Sequence, residues 1–188
     1  MSGYISLGIL YLFCFMSHLN IEIKARLRNA REQAAFIRNY LLGEGAEFKG
    51  TDEQTDTYFQ VPRGRLKLRE GRIENNLIYY ERPDGEGPKA SDFTLVAVDD
   101  PAALKQILSR TLGIRIVVKK IREIYYLGNV KFHIDEVPGL GHFTEIEAGN
   151  LLEDKSPETL RSQCDFYMEA FQIRAEDLVA VSYSDLML

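Results

Sequence analysis

Apolar and polar residues alternate along several short stretches of the chain, which is the period expected of β-strands with one buried face. The clearest stretch is 19–28, where every second residue is apolar and the polar residues between them are Asn20, Glu22, Lys24, Arg26 and Arg28. Further strands are predicted at 56–61, 65–69, 76–82, 93–98, 114–126, 130–137 and 143–148. Turn-forming pairs such as Gly128-Asn129 and Pro138-Gly139 join neighbouring stretches, which predicts hairpins and antiparallel pairing.

Helical periodicity occupies the intervals between hairpins. One helix is predicted from Asn29 to Gly43, and a second begins at Asp100-Pro101, an N-cap residue followed by proline. A third runs from Ser156 to about Phe171, and a short helical piece closes the chain. The stretch 84–91 is rich in turn residues and predicts a flexible loop. The pattern therefore predicts an α+β domain of about eight antiparallel strands with inserted helices.

The N-terminal residues do not fit this domain. Residues 4–16 are almost wholly apolar, yet no Lys or Arg precedes Lys24, so a secretory signal is not indicated. The run is also shorter than the roughly 20 residues that a membrane span needs. We expect translation to start at Met16, with 1–15 an apolar extension and 16–188 a single domain; a short membrane anchor is the less favoured alternative.

Composition narrows the class of protein. The 188 residues are 45% hydrophobic and 27% charged, as in globular proteins, and the net charge of −5 argues against wholesale nucleic-acid binding. Two cysteines are too few for a disulfide framework, which favours a reducing compartment and a cytoplasmic location.

Charged residues repeat on single strand faces, and several faces carry mainly bases, which is unusual for solvated surfaces. The same-face groups are Arg65/Lys67/Arg69, Lys120/Arg122, Lys131/His133/Asp135 and Phe143/Glu145/Glu147. If the sheet curls into a barrel with helices outside, these faces line its interior, where unpaired ions are costly. A triphosphate would complement the charge of the bases. The carboxylates would repel it unless Mg²⁺ ions bound between carboxylate and phosphate oxygens. The alternative is that each charged face is solvated.

The residues just named resemble the CYTH superfamily, which includes class IV adenylyl cyclases and thiamine triphosphatases. Asn20-Ile-Glu22-Ile-Lys24 is similar to the family's ExExK motif. Further similar blocks follow in order at 56–59, 65–70, 80–83, 120–125, 131–137, 140–141 and 143–147. The resemblance covers about residues 18–186 and implies an eight-stranded antiparallel tunnel barrel with helices packed outside. It also implies a bound triphosphate such as ATP, thiamine triphosphate or tripolyphosphate, with one or two Mg²⁺ or Mn²⁺ ions.

Carried over position by position, the resemblance implies roles for individual residues. The metal ligands would be Glu22, Asp135, Glu145 and Glu147. The phosphate-binding residues would be Lys24, Lys67, Arg69, Arg82, Lys120, Arg122 and Lys131, with Lys24, Arg82 and Lys120 also candidates for catalysis. Arg65 and Arg26 are weaker candidates, and we interpret His133 as a hydrogen-bonded bystander rather than a general base.

Asn20 departs from the motif, because the first glutamate of ExExK is an asparagine here. This weakens the case for a second metal, and a catalytically weak nucleotide or polyphosphate sensor is the alternative function. The sequence of block 140–147 is more similar to the class IV cyclase branch, but the strand pattern does not separate a cyclase from a triphosphatase. The interpretation includes no nucleic-acid or membrane partner, and it allows for a homodimer.

Overall fold

The computed structural model describes residues 18–81, 88–150 and 155–188. Eight strands occur in these ranges: β1 (His18–Arg26), β2 (Glu47–Phe59), β3 (Arg65–Glu70), β4 (Asn76–Glu81), β5 (Lys89–Ala97), β6 (Ile114–Leu127), β7 (Val130–Val137) and β8 (Gly141–Gly149). The helices are α1 (Ala30–Gly43), α2 (Pro101–Leu112), α3 (Pro157–Ala170) and α4 (Tyr183–Leu186), with a 3₁₀ turn at Ala175–Asp177.

The strands close into one antiparallel barrel in the order β1-β5-β4-β3-β2-β6-β7-β8. The predicted eight-stranded barrel with helices outside is confirmed. Strand β1 completes the closure, since it pairs with β5 on one side and β8 on the other. The β1–β8 register places Glu22 opposite Glu147 and Lys24 opposite Glu145. Charged residues of two strands therefore meet on the inner face.

The main apolar core lies outside the barrel wall, between the strands and helices α1 and α3. The largest buried members of this core are Ile21, Ile23, Ile37, Leu41, Phe132, Ile146, Leu160 and Phe171. Phe132 is fully buried and meets Tyr167 edge-on, with ring centroids 4.7 Å apart. Because the apolar side of β1, β7 and β8 faces these helices, the alternate, polar residues must face inward.

Two strands begin at least four residues earlier than predicted. β2 begins at Glu47 instead of residue 56, because pairing with β6 along its whole length stabilises a polar segment of low strand propensity. β5 begins at Lys89 instead of residue 93, so part of the predicted loop 84–91 is a strand that pairs with β1. Local propensity indicated neither extension, since both depend on partners distant in sequence.

The C-terminal segment covers one end of the barrel. Leu178 forms a bridge with Ala25, and the Tyr183 ring packs against Phe143 with centroids 4.9 Å apart. Ser182 caps α4 through a reciprocal capping box with Asp185. None of the helices in the described ranges is long and apolar enough to cross a membrane.

Candidate active site

The inner strand faces enclose a cavity of about 840 Å³, measured together with its solvent-filled opening. The charged residues that line it are Glu22, Lys24, Asp56, Lys67, Arg69, Glu74, Lys120, Arg122, Lys131, Glu145 and Glu147. The structure thus brings together nine of the sequence-predicted site residues and adds Asp56 and Glu74.

Asp56 on β2 is the centre of one cluster of ion pairs. Its carboxylate accepts hydrogen bonds from Lys120 Nζ at 2.6 Å, Arg69 Nε at 2.9 Å and Lys67 Nζ at 3.3 Å. Burial alone would raise the pKa of Asp56, but Arg69, Lys120 and Lys67 outweigh burial and hold that pKa well below its ordinary value. Asp56 therefore stays ionised and holds three bases in the cavity wall.

Lys120 is a cavity base whose pKa is lowered by its surroundings. Burial lowers its pKa, Asp56 opposes that change, and the nearby Arg69, Arg122 and Lys67 lower the pKa further, to about 7. At neutral pH this amine is consequently balanced between its charged and neutral forms. An incoming anion would favour the charged form.

Arg122 and Asp135 form a second, fully buried ion pair. Arg122 Nε donates to Asp135 Oδ1 at 2.7 Å, and Tyr183 Oη donates to Asp135 Oδ2 at 2.8 Å. Asp135 is not among the cavity-lining residues of the described chain, and it lies behind Arg122. This geometry suits a residue that orients Arg122, whereas the predicted metal-ligand role of Asp135 stays a prediction.

Glu145, Glu147 and His133 form the group best suited to a metal ion, since one ligand atom of each lies within 4.8 Å of the others. Burial raises the pKa of Glu145, but Arg122 and Lys24 lower it well below its ordinary value. Burial likewise raises the pKa of Glu147, and His133 and Lys131 outweigh that effect and bring it to about 2. Two ionised carboxylates beside an imidazole fit a divalent cation.

Glu145 also has basic partners in this structure. Lys24 Nζ lies 3.1 Å from Glu145 Oε1, and Arg122 Nη2 lies 2.6 Å from Glu145 Oε2. A metal ion at this carboxylate would therefore compete with Lys24 and Arg122. That competition ends if both bases turn to a phosphate.

Glu74 enters the cavity from the β3–β4 connection, which the strand pattern did not predict. Its carboxylate accepts from Lys131 Nζ at 2.5 Å and from Arg69 Nη1 at 2.9 Å. Asp52 fixes this connection by accepting three backbone N–H bonds, from 72, 73 and 74. A Cβ at Gly71 would collide with the Asp52 carboxylate. The available sequence signal was the alternation of Asp52, Gln54 and Asp56, which extends the predicted strand 56–61 backward into a stretch of low strand propensity.

Charge inside the barrel is nearly balanced. Among the described residues, six bases line the cavity against five carboxylates, and Asp135 behind Arg122 supplies a sixth carboxylate. The cost of burying each cation is thus offset by internal ion pairs before any ligand arrives.

One side of the cavity carries no charged residue among its described lining residues. Strands β4 and β5 contribute Asn76, Ile78, Tyr80, Ser91, Phe93 and Leu95 there. This uncharged wall suits an apolar or aromatic ligand group beside the basic wall. The sequence pattern did not predict this wall, because its residues alternate like those of an ordinary strand.

Three predicted bases lie elsewhere or cannot be placed. Arg65 Nη2 donates to Asp185 Oδ2 at 2.9 Å at the covered end of the barrel. Arg26 Nη1 donates to Leu140 O at 2.5 Å and stands over the Phe143 ring. Arg82 lies outside the described residues, as does the extension 1–15.

The family model of the CYTH domain matches residues 18–183. The chain belongs to the CYTH domain family. The resemblance found in the strand motifs is thereby confirmed.

Individual relatives share most of this length. The Methanocaldococcus jannaschii protein "Putative adenylate cyclase MJ0240" is 27% identical over 150 residues, 78% of each chain. The PH1012 protein of Pyrococcus horikoshii superimposes with a TM-score of 0.74 at 27% identity, over 89% of this CYTH chain and 98% of that one. A "putative adenylate cyclase" from Vibrio parahaemolyticus has a TM-score of 0.70 at 18% identity, over 90% and 97% of the two chains, which shows a shared fold.

Proposed function

We propose that this CYTH protein is a divalent-metal-dependent enzyme that converts ATP to cyclic AMP and pyrophosphate, in the manner of the class IV adenylyl cyclases. The observation that carries this proposal is the convergence of six bases on one cavity beside the Glu145–Glu147–His133 group. A triphosphate offers about four negative charges, which suit forked arginine donors and compact lysine ammonium groups.

The bases would hold the substrate by exchanging partners. Lys24 and Arg122 now bind Glu145, and Arg69 and Lys120 bind Asp56. Phosphate oxygens would take the place of these carboxylates. The bases are therefore preorganised around the position of the triphosphate, which is the arrangement that stabilises charge during phosphoryl transfer.

A metal ion, Mg²⁺ or Mn²⁺, would be held by Glu145 and Glu147, with Glu22 opposite Glu147 on the neighbouring strand. When bound, it would neutralise charge on the phosphate oxygens and orient them. Once Lys24 and Arg122 turn to phosphate, Glu145 becomes available to the ion.

The uncharged wall of β4 and β5 favours an organic triphosphate over inorganic tripolyphosphate. Tyr80 and Phe93 offer aromatic surface to a nucleobase, and Asn76 and Ser91 offer hydrogen-bonding groups. In the cyclase reaction the ribose 3′-hydroxyl attacks the α-phosphorus and pyrophosphate leaves. The name of the Methanocaldococcus jannaschii relative, an adenylate cyclase, agrees with this chemistry.

Product analysis tests the proposal. The protein is incubated with ATP, thiamine triphosphate and tripolyphosphate, each with Mg²⁺ and with Mn²⁺, and the products are separated by chromatography. Cyclic AMP with pyrophosphate supports the cyclase. Orthophosphate release would instead make the protein a triphosphatase, and binding without turnover would make it a sensor.

A double substitution tests the metal ligands. Glu145→Ala with Glu147→Ala is expected to abolish turnover and to leave metal-free triphosphate binding equal or tighter, because Lys24 and Arg122 lose their competing partner. The matched control removes two exposed carboxylates from the outer barrel face, Glu53→Ala with Glu136→Ala, and should keep activity. Normal turnover by the first variant would refute the metal assignment. The cytoplasmic location and the homodimer stay predictions.

A further inference from the structure

His133 projects into the barrel beside the two glutamates and is fully buried. Its Nδ1 lies 3.2 Å from Glu145 Oε2 and 3.3 Å from Glu147 Oε1. Its Nε2 has no hydrogen-bond partner anywhere in the described chain. The imidazole is thus held against both carboxylates through one nitrogen, and nothing engages the other nitrogen.

These distances match the spacing of neighbouring ligands around one ion. Neighbouring ligands of an octahedral ion with bonds of about 2.1 Å are roughly 3 Å apart. The two nitrogen–oxygen distances exceed this spacing only slightly. The three side chains could therefore close on one cation with little movement of their strands.

We propose that His133 Nδ1 is a direct ligand of the metal, together with Glu145 and Glu147, and that it makes the site select a first-row transition ion over Mg²⁺. The inference rests on the proposed function, since it concerns the same site. It replaces the interpretation of His133 as a bystander.

The selectivity follows from ligand chemistry. Mg²⁺ prefers oxygen ligands and retains its waters, whereas imidazole nitrogen favours the transition ions, from Mn²⁺ upward in the usual order of affinity. In a neutral imidazole with Nδ1 on a metal, the proton sits on Nε2. Because Nε2 makes no hydrogen bond within the described residues, no existing contact opposes this tautomer.

The same site explains why the ion would bind together with phosphate. In the absence of phosphate, Lys24 binds Glu145 Oε1, and Arg122 shares Glu145 Oε2 with His133. A triphosphate would draw both bases away and add its own oxygens as ligands. Binding of Mn²⁺ should therefore be tighter with tripolyphosphate present.

Pulsed electron paramagnetic resonance of bound Mn²⁺ tests the proposal without relying on turnover. The full-length protein is prepared with ¹⁵N-labelled histidine and loaded with Mn²⁺ and tripolyphosphate. Phosphorus couplings report that the ion lies at the triphosphate, and an isotropic ¹⁵N coupling requires a direct bond to an imidazole. We expect both couplings.

Two variants assign the nitrogen. His133→Gln should remove the ¹⁵N coupling, and His142→Gln, which changes a histidine lining a separate groove on the outer barrel face, should keep it. Calorimetry should show that the ratio of Mg²⁺ to Mn²⁺ dissociation constants falls at least about tenfold in His133→Gln, since even outer-shell changes alter metal affinity by 10–100-fold.

The outcomes separate this inference from the proposed function. Phosphorus coupling without ¹⁵N coupling would overturn the role of His133 and leave the metal-dependent enzyme intact. Failure of Mn²⁺ to bind with tripolyphosphate would overturn both. A coupling that persists in His133→Gln would also overturn the assignment.

Discussion

The Asp56 cluster gives a sharp prediction about how the empty barrel is stabilised. Asp56 is 2% exposed and balances Arg69, Lys120 and Lys67 at 2.6–3.3 Å. Asp56→Asn preserves shape but removes the counter-charge that these three bases share, although Arg69 keeps a second partner in Glu74. Breaking a buried ion pair in this way costs about 3–5 kcal/mol of the free energy of unfolding. For a chain of this size, each kcal/mol lowers Tm by about 2–4 °C, so Tm should fall by roughly 6–20 °C.

Tripolyphosphate should reverse most of this loss. Its oxygens can supply to Arg69, Lys120 and Lys67 the negative charge that the variant lacks. Urea unfolding with chelator, in the presence and absence of saturating tripolyphosphate, measures both free energies. The variant should gain more stability from the ligand than the wild type gains, and it should bind the ligand more tightly.

Asp165→Asn is the matched control, since it makes the same chemical change at an exposed position of α3 and should leave both free energies unchanged. The reasoning is refuted if Asp56→Asn loses less than about 1 kcal/mol, the net value of an ordinary hydrogen bond. It is equally refuted if tripolyphosphate stabilises variant and wild type by the same amount. Either result would mean that Asp56 is not the counter-charge that phosphate replaces.

Two further predictions concern the Lys120 proton and the outer core. Tripolyphosphate binding at about pH 8 should take up nearly one proton, because phosphate raises the Lys120 pKa from about 7. The affinity for tripolyphosphate should therefore fall as pH rises through 7. Calorimetry in buffers of different ionisation enthalpy measures this uptake; Lys120→Gln should abolish it, and uptake unchanged in that variant would contradict the prediction. Phe132→Ala should lower the free energy of unfolding by about 3–5 kcal/mol, because the ring is fully buried against Tyr167 and Phe171. Urea unfolding checks this, and a loss under about 1 kcal/mol would show that the outer core tolerates the cavity.

The sequence predicted best those strands whose two faces differ strongly. β1 alternates Ile21 and Ile23 with Glu22 and Lys24, and the first pair packs under helices while the second lines the cavity. Such alternation can be read from the local sequence, and it predicts the structure correctly because each strand face contacts only one kind of surrounding, the helices or the cavity. The same holds for the basic face of β3 and the acidic face of β8.

The missed features all depend on contacts between distant segments. Asp52 and Glu74 lie in polar segments whose strand or loop conformation is set by β6 and by side chain–backbone bonds. Asp56 begins the predicted strand 56–61, but its basic partners come from β3 and β6. Asp135 and Glu145 show the same limit, since both are inward-facing carboxylates of amphipathic strands. Asp135 accepts hydrogen bonds from Arg122 and Tyr183, whereas Glu145 faces the cavity. The positions of Arg122 and Tyr183, which the strand pattern does not show, make this difference.

Charge balance also gives Asn20 a physical meaning. Asn20 lines the cavity where the family motif has a glutamate. A carboxylate there would add a seventh negative charge to the six bases and six acids of the described barrel interior, and would compete with phosphate for Lys24 and its neighbours. A neutral amide keeps the empty barrel balanced, and its carbonyl oxygen can still serve as a weak metal ligand. When a triphosphate enters, the bases leave the carboxylates with which they are already paired and bind phosphate oxygens instead. The ion pairs that stabilise the empty fold therefore also determine how tightly the substrate binds.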